Sequence, residues 1–247
     1  MDAPGEMLHL YFFAHQQAWG GHTYETYRHT LGFPTRSGIT GLLGAAFGID
    51  RGDISSLTEL DGSYTCAVKI DAVRSMIYRG GAVRPLTPGF RAIDYQTVKN
   101  PRRNYNQGDL SETEQTWREY LIDNAFTVLL KSTGTSERFS LENMAQAVED
   151  PYYALYFGRK NCIPADRIYR GFLAGDTFHK AFLEMDIVGG ETVVSEEEPD
   201  GVPSITQVVR DVLYGERMFG TRKVFIYSMP PVKADGEPLD ISHSALL

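Results

Sequence analysis

Cysteine is scarce in this chain: Cys66 and Cys162 are the two among 247 residues. They stand far apart and match no zinc or redox spacing. That excludes a disulfide-stapled scaffold and a zinc-nucleated fold, and leaves two structural thiols of a reducing compartment. Long apolar runs are missing too. Nothing approaches the roughly 20 residues of a membrane span, and residues 7–14 are short, lack a basic leader and read as a buried strand rather than a secretory signal. The expected setting is the cytoplasm. Catalytic signatures are also absent: there is no Walker lysine loop, no Gly-x-Gly-x-x-Gly fingerprint, no nucleophile elbow and no His-Glu-x-x-His. Gly38, Gly41 and Gly44 recur inside a helical pattern and do not form a phosphate loop. Six histidines (His9, His15, His22, His29, His179 and His243) show no metal-ligand spacing. The reading is a non-enzyme without cofactor or metal. One catalytic alternative stays open, because His15, His22 and His29 share a loop from which metal-independent RNA cleavage is chemically possible.

What is present describes a globular chain, with 42% apolar and 23% charged residues and enough length to bury a core. The net charge of −8 argues against coating nucleic acid with the whole surface. Yet residues 69–109 hold eight cations (Lys69, Arg74, Arg79, Arg84, Arg91, Lys99, Arg102, Arg103) against three anions (Asp71, Asp94, Asp109), so that stretch is +5 and the remainder −13. A basic segment on an acidic body points to a localised polyanion site, with other faces left for protein partners.

Hydrophobic periodicity predicts a strand over 7–14, then a polar, aromatic loop over 16–31. Pro34 and Thr35 open a helix, with Thr35 or Ser37 as its cap, in which Ile39, Leu42, Leu43, Ala46 and Phe47 form one apolar face. Residues 51–61 read as a polar loop or short helix, and 64–70 as a strand. The turn-rich stretch 73–112 predicts an inserted basic β-hairpin, a thumb projecting from the body. Strands are expected over 117–131, 181–188 and 223–228, and a helix from Ser140 to Pro151. Residues 196–247 form a C-terminal extension with a mobile tail after Met229. The whole is expected to be one domain, 1–247, of the α+β class: a ferredoxin-like, RNA-recognition-type core with the thumb and a β-rich extension added.

The candidate site starts at the helix over 35–48, because a helix N-terminus offers free amides and partial positive charge to an anion. Arg36 in its first turn opposes the helix dipole, which a bound phosphate would neutralise. Thr35, Arg36, Ser37 and Gly38 are therefore candidate phosphate contacts, with Gln17, Trp19 and Arg28 from the preceding loop. Tyr95 and Tyr105 sit among the cations of the hairpin beside Arg102 and Arg103, and Arg159 and Lys160 follow Gly158 in a basic turn. Unpaired bases stack on such rings while Arg and Lys hold phosphates. Other readings stand beside these: Trp19 as a core tryptophan, Tyr95 and Tyr105 as plain surface tyrosines, and residues 158–161 as a structural turn.

Five segments in order carry a family resemblance. They are Gln16-Gln17-Ala18-Trp19-Gly20, Phe33-Pro34-Thr35-Arg36-Ser37-Gly38-Ile39-Thr40-Gly41-Leu42-Leu43-Gly44, Asp94-Tyr95-Gln96-Thr97-Val98, Gln115-Thr116-Trp117-Arg118-Glu119-Tyr120-Leu121 and Tyr156-Phe157-Gly158-Arg159-Lys160-Asn161-Cys162. Over residues 8–195 the set resembles the fifth CRISPR-associated protein family of the RAMP superfamily, in its type I-E Cascade form. The resemblance implies a modified RNA-recognition fold with a hairpin thumb that grips the 5′ handle of the guide crRNA in a multisubunit antiviral surveillance complex. It also implies contact with the backbone subunit CasC, the large subunit CasA and other Cascade subunits, and an indirect role in DNA targeting. CasE matures the guide in this subtype, so no catalysis is implied. A sister subtype uses its family member as a metal-independent endoribonuclease with a Tyr/Lys/His group, and that trio does not map onto this chain.

Overall fold

Two main sheets share the chain, and one strand of the smaller leads directly into the larger. The computed structural model describes residues 5–20, 26–71, 76–79, 82–85, 89–99, 113–185, 191–212 and 219–229. In chain order the elements are β1 (Glu6–Phe13), β2 (Gln16–Gln17), β3 (Tyr27–Arg28), α1 (Arg36–Ala46), α2 (Ile54–Gly62), β4 (Tyr64–Ile70), β5 (Met76–Arg79), β6 (Ala82–Pro85), β7 (Arg91–Lys99), β8 (Thr113–Ile122), β9 (Ala125–Ser132), α3 (Leu141–Glu149), β10 (Tyr169–Ala174), α4 (Phe178–Leu183), β11 (Thr192–Ser195), β12 (Ile205–Val212) and β13 (Phe219–Ser228). The large sheet runs β10-β1-β9-β4-β11-β13-β12, every neighbouring pair antiparallel. In the small sheet β8 pairs with β2 and β3 along one side and with β7 along the other. The protein is thus α+β, with a large antiparallel sheet.

Period-two alternation sends Leu8, Leu10 and Phe12 of β1 to one face of the large sheet, where α1, α2 and α3 cover them. Ile39, Leu42, Leu43 and Ala46 are the buried stripe of α1, at the spacing the sequence predicts. Two glycines set how closely that helix is packed. A Cβ at Gly38 would lie 2.9 Å from the Trp19 ring, and one at Gly44 2.9 Å from Leu57. On the opposite face Met7, Ala67, Leu129, Val193 and Tyr227 form a second core under α4.

The two halves of the chain are joined by a buried charge network at the start of α1. Arg36 donates to the Asp61 carboxylate (Nε to Oδ1, 3.1 Å), to Glu196 and to the carbonyls of Asp61 and Tyr64, and its guanidinium lies 4.1 Å above the Tyr64 ring. Arg222 of β13 reaches the other Asp61 oxygen at 2.6 Å, and Glu196 also accepts the Cys66 amide at 3.0 Å. Burial pushes the Asp61 pKa up, but Arg36, Arg222 and the Thr40 hydroxyl together hold it below the usual carboxylate range.

Three expectations are corrected. Residues 181–188 do not begin as a strand: α4 occupies 178–183, because the Thr177 hydroxyl caps the Lys180 amide and Phe178, Ala181 and Phe182 bury one helical face. The run 117–131 is two strands, β8 and β9, separated by Asp123 at φ 49° and by Asn124. The Asn124 side chain donates to the Ile122 carbonyl and accepts the Gly89 amide, which fixes the turn. Within 73–112, β5 and β6 pair with each other, while the partner of β7 is β8, beyond that boundary. The described part of the C-terminal extension supplies β12 and β13, which lengthen the large sheet. The tail from 230 onward lies outside the described residues.

Removing one partner from a buried ion network strands the others. Arg36→Ala is therefore expected to lower the unfolding free energy by about 3–5 kcal/mol, read as a lower denaturant midpoint at unchanged m-value. His9 supplies a pH test. Burial, then the charges of Arg170 and Lys69, push its pKa down to about 4. The unfolded chain, titrating near 6.5, takes up a proton that the folded chain refuses, so this contribution to stability is lost as pH falls from about 6.5 to about 4. Thermal melts of His9→Gln across that window should show a flatter acid limb than the parent.

Candidate nucleic-acid interface

The small sheet presents two chemically different faces, because residues alternate along β8. Arg118 and Tyr120 point one way and Trp117 and Glu119 the other. Register places Arg28 of β3 beside Arg118, and Gln96 of β7 opposite Thr116, so these side chains share the Arg118 face.

A turn following α3 closes over that face. Phe157 donates its amide to the Cys162 carbonyl and accepts the Ala18 amide, and Cys162 donates to Arg159. Gly158 sits at φ 91°, and a Cβ there would overlap the Ala18 carbonyl oxygen. Phe157 is fully buried, its ring 5.7 Å from Trp19 and 4.9 Å from Phe12.

The result is a groove of about 550 Å³ lined by Arg28, Gln96, Arg118, Tyr156, Gly158, Arg159, Lys160 and Asn161. Four of these are cations and none is acidic. Arg159 is held in place by the carbonyls of Glu119 (2.9 Å) and Arg28 (3.0 Å), with its guanidinium 4.5 Å above Tyr120. Asn161 is fixed by Gln16 and the Tyr120 hydroxyl. Arg28, Arg118 and Lys160 make no ion pair among the described residues. The Nε of Arg118 is buried without a hydrogen-bond partner there. Asp94 of β7 is opposite Arg118 in register and accepts the Gln96 side-chain amide at 2.6 Å, but four cations against this one neighbouring carboxylate leave the groove positive, as a polyanion site requires.

Arg28, Arg159 and Lys160 of the expected contacts converge on this groove. The residues around the start of α1 do not. Arg36 is 8% exposed and its guanidinium is consumed by Asp61, Glu196 and two carbonyls. The Thr35 hydroxyl caps the Gly38 amide at 3.1 Å, and the Ser37 amide is taken by the Asp211 carboxylate at 3.0 Å. The helix N-terminus does attract anions, but they are carboxylates of this chain. Gly38 is packed on Trp19, and Trp19 is a core residue, 1% exposed. Gln17 is buried beneath it, accepting the Trp19 indole N–H and donating to the Asn124 carbonyl. Tyr95 is exposed but lies on the opposite face of the small sheet. Arg102, Arg103 and Tyr105 lie outside the described residues.

Part of the basic stretch is neutralised internally, Lys69 by Asp71 and Glu191 and Arg91 by Glu119. Asn161 and the neighbouring Tyr156 belong to the basic turn the residues pointed to, whereas Arg118 and Gln96 line the groove although residue chemistry alone did not single them out. For Arg118 a signal existed: two-residue alternation puts it on the face of Tyr120, away from Trp117.

A family model described as CRISPR-associated protein (Cas_Cas5) matches residues 7–225. The chain belongs to this Cas5 family. It is 40% identical over 185 residues, 75% of this chain and 79% of the relative, to the CRISPR system Cascade subunit CasD of Escherichia coli (strain K12). Among solved structures it resembles a chain of a CRISPR RNA-guided surveillance complex, with a TM-score of 0.63, 21% identity and coverage of 90% of this chain and 89% of that one. A second, titled crystal structure of Cas protein, gives 0.59 at 23% identity over 94% and 97%. At these identities the structural likeness speaks for the fold. The Cas5 match spans both the charge network and the groove.

Gly158→Ala tests whether the turn positions the groove. It forces a side chain into the Ala18 carbonyl and a conformation that only glycine tolerates. The protein is expected to lose at least about 1–3 kcal/mol of stability and to bind polyanions more weakly, measured by calorimetric melting and heparin retention.

Proposed function

We propose that this Cas5-family protein is a non-catalytic subunit of a Cascade-type surveillance complex, whose basic groove holds the single-stranded 5′ handle of the guide crRNA. The observation that carries the reading is the groove of Arg28, Arg118, Arg159 and Lys160, four cations around about 550 Å³ with no acidic lining residue and with Tyr156 at its wall. Phosphates supply the missing negative charge, and the half-exposed Tyr156 ring supplies a stacking surface for a splayed base. The Gln96 and Asn161 side-chain amides on the lining suit the edges of unpaired bases.

The strand order β10-β1-β9-β4, with α1 and α3 as the crossing helices, supports a ferredoxin-like, RNA-recognition-type core. The long β7–β8 pair supports the thumb reading. The 40% identity to a Cascade subunit supports assembly with the backbone subunit CasC, the large subunit CasA and their companions, in the cytoplasm, with target DNA reached indirectly. Against endonucleolytic processing of repeat RNA, the groove lining among the described residues supplies no imidazole or carboxylate to take a proton from a 2′-hydroxyl.

The double variant Arg118→Glu/Lys160→Glu is expected to keep its circular dichroism spectrum, since neither side chain is paired among the described residues. It should bind handle RNA at least tenfold more weakly at physiological salt. The slope of log affinity against log salt should flatten by about 0.7 for each phosphate that is no longer neutralised. Unchanged affinity would remove the groove assignment. Incubation of the parent with labelled repeat RNA in EDTA should leave the RNA intact, and a discrete product would turn the reading to a nuclease.

A further inference from the structure

The cations of the groove attract phosphate, but a phosphate contact carries no information about the base attached to it. Two neutral side chains on the lining do carry such information. Gln96 of β7 donates from Nε2 to the Asp94 carboxylate at 2.6 Å. An ionised carboxylate only accepts, so this bond fixes which end of the amide is nitrogen and which is the carbonyl oxygen. Asn161, in the turn after α3, spends both hydrogens of its Nδ2 on Gln16 Oε1 and the Tyr120 hydroxyl, at 3.2 and 3.3 Å. Among the described residues no donor reaches Gln96 Oε1 or Asn161 Oδ1. Both amides thus meet the groove with an open acceptor.

From this arrangement we infer that Gln96 and Asn161 are specificity-determining residues, whose carbonyl oxygens select unpaired bases bearing an exocyclic amino group (adenine, cytosine or guanine) and reject uracil. The inference rests on the groove reading above and names the bases that the groove takes. An amino group turns hydrogens toward an acceptor. Uracil instead presents two carbonyl oxygens around a single ring N–H, and a carbonyl set against a carbonyl leaves both oxygens unsatisfied once water is displaced. Asp94, opposite Arg118 in register and bonded to Gln96, adds negative potential at the same wall, which again favours the electropositive edge of an amino group. The Tyr156 ring does not discriminate, because every base has a π-face. The cations are able to donate to uracil, but in the groove reading they answer phosphates, and Arg159 also donates to the Glu119 and Arg28 carbonyls. Discrimination between bases therefore falls to the two amides.

The test titrates the full chain with oligocytidylate, oligouridylate and oligoadenylate of equal length, and with an oligoadenylate in which purine replaces adenine and so lacks only the amino group. Oligocytidylate is expected to bind about tenfold more tightly than oligouridylate, and oligoadenylate about tenfold more tightly than its purine counterpart, the scale of one unsatisfied hydrogen-bonding group. Gln96→Met and Asn161→Ala should each lose more affinity for oligocytidylate than for oligouridylate, bringing the ratio toward one. Arg118→Glu/Lys160→Glu should weaken all four probes by a similar factor. Equal affinities of the parent for oligocytidylate and oligouridylate overturn the inference and leave the groove reading standing. A ratio unchanged in both amide variants, or a uniform loss across the four probes, makes these side chains structural and overturns it too. A parent that binds none of the probes overturns the groove reading itself, and the inference with it.

Discussion

Arg36 can be buried only because its charge and its hydrogen-bond donors are answered from four directions. Asp61 comes from the end of α2, Glu196 from the turn after β11, and the carbonyls of Asp61 and Tyr64 from the α2–β4 junction. Arg222 then ties Asp61 to β13, and Asp211 of β12 takes the Ser37 amide. A buried ion network of this kind contributes little net stability compared with an apolar packing of equal volume. Its effect is on uniqueness. Residues near position 36 and residues near 200 and 220 have one arrangement in which every charge is answered, so the C-terminal strands attach to the large sheet in one register.

The groove depends on the core by a different route. Phe12, Trp19 and Phe157 pack as one aromatic cluster, and the chain leaves that cluster at Gly158 directly into Arg159, Lys160 and Asn161. Dense packing of bulky rings tolerates little displacement. The backbone that presents the cations is thus anchored to the buried core, and Arg159 is further pinned by two carbonyls and the Tyr120 ring. A ligand bound at a site so anchored would leave little ordering to be done, which lowers the entropic cost of association.

Side-chain chemistry is divided between the two faces of single strands. In β8 the alternation Trp117, Arg118, Glu119, Tyr120 separates a basic face from an aromatic one over four residues. In β3 the pair Tyr27 and Arg28 does the same. The Glu119 carboxylate, paired with Arg91, is thereby kept on the face away from Arg118.

Much of the architecture was legible in the residues. The apolar stripe of α1, the Thr35 and Ser140 caps, the strands 7–14, 64–70 and 223–228, and the family resemblance all follow from local pattern, since periodicity and capping are set within a few residues. Arg28, Arg159 and Lys160 could be named as contacts from charge beside glycine and aromatic residues, but their convergence with Arg118 could not. It requires the parallel pairing of β3 with β8 and a turn some 40 positions later in the chain. Arg36 shows the other side of the same limit. A lone cation in a first helical turn announces an anion, and local sequence fixes that need. Whether a phosphate or Asp61 and Glu196 answers it is decided by tertiary contacts over as many as 160 positions, because electrostatic attraction depends on distance in space and not along the chain.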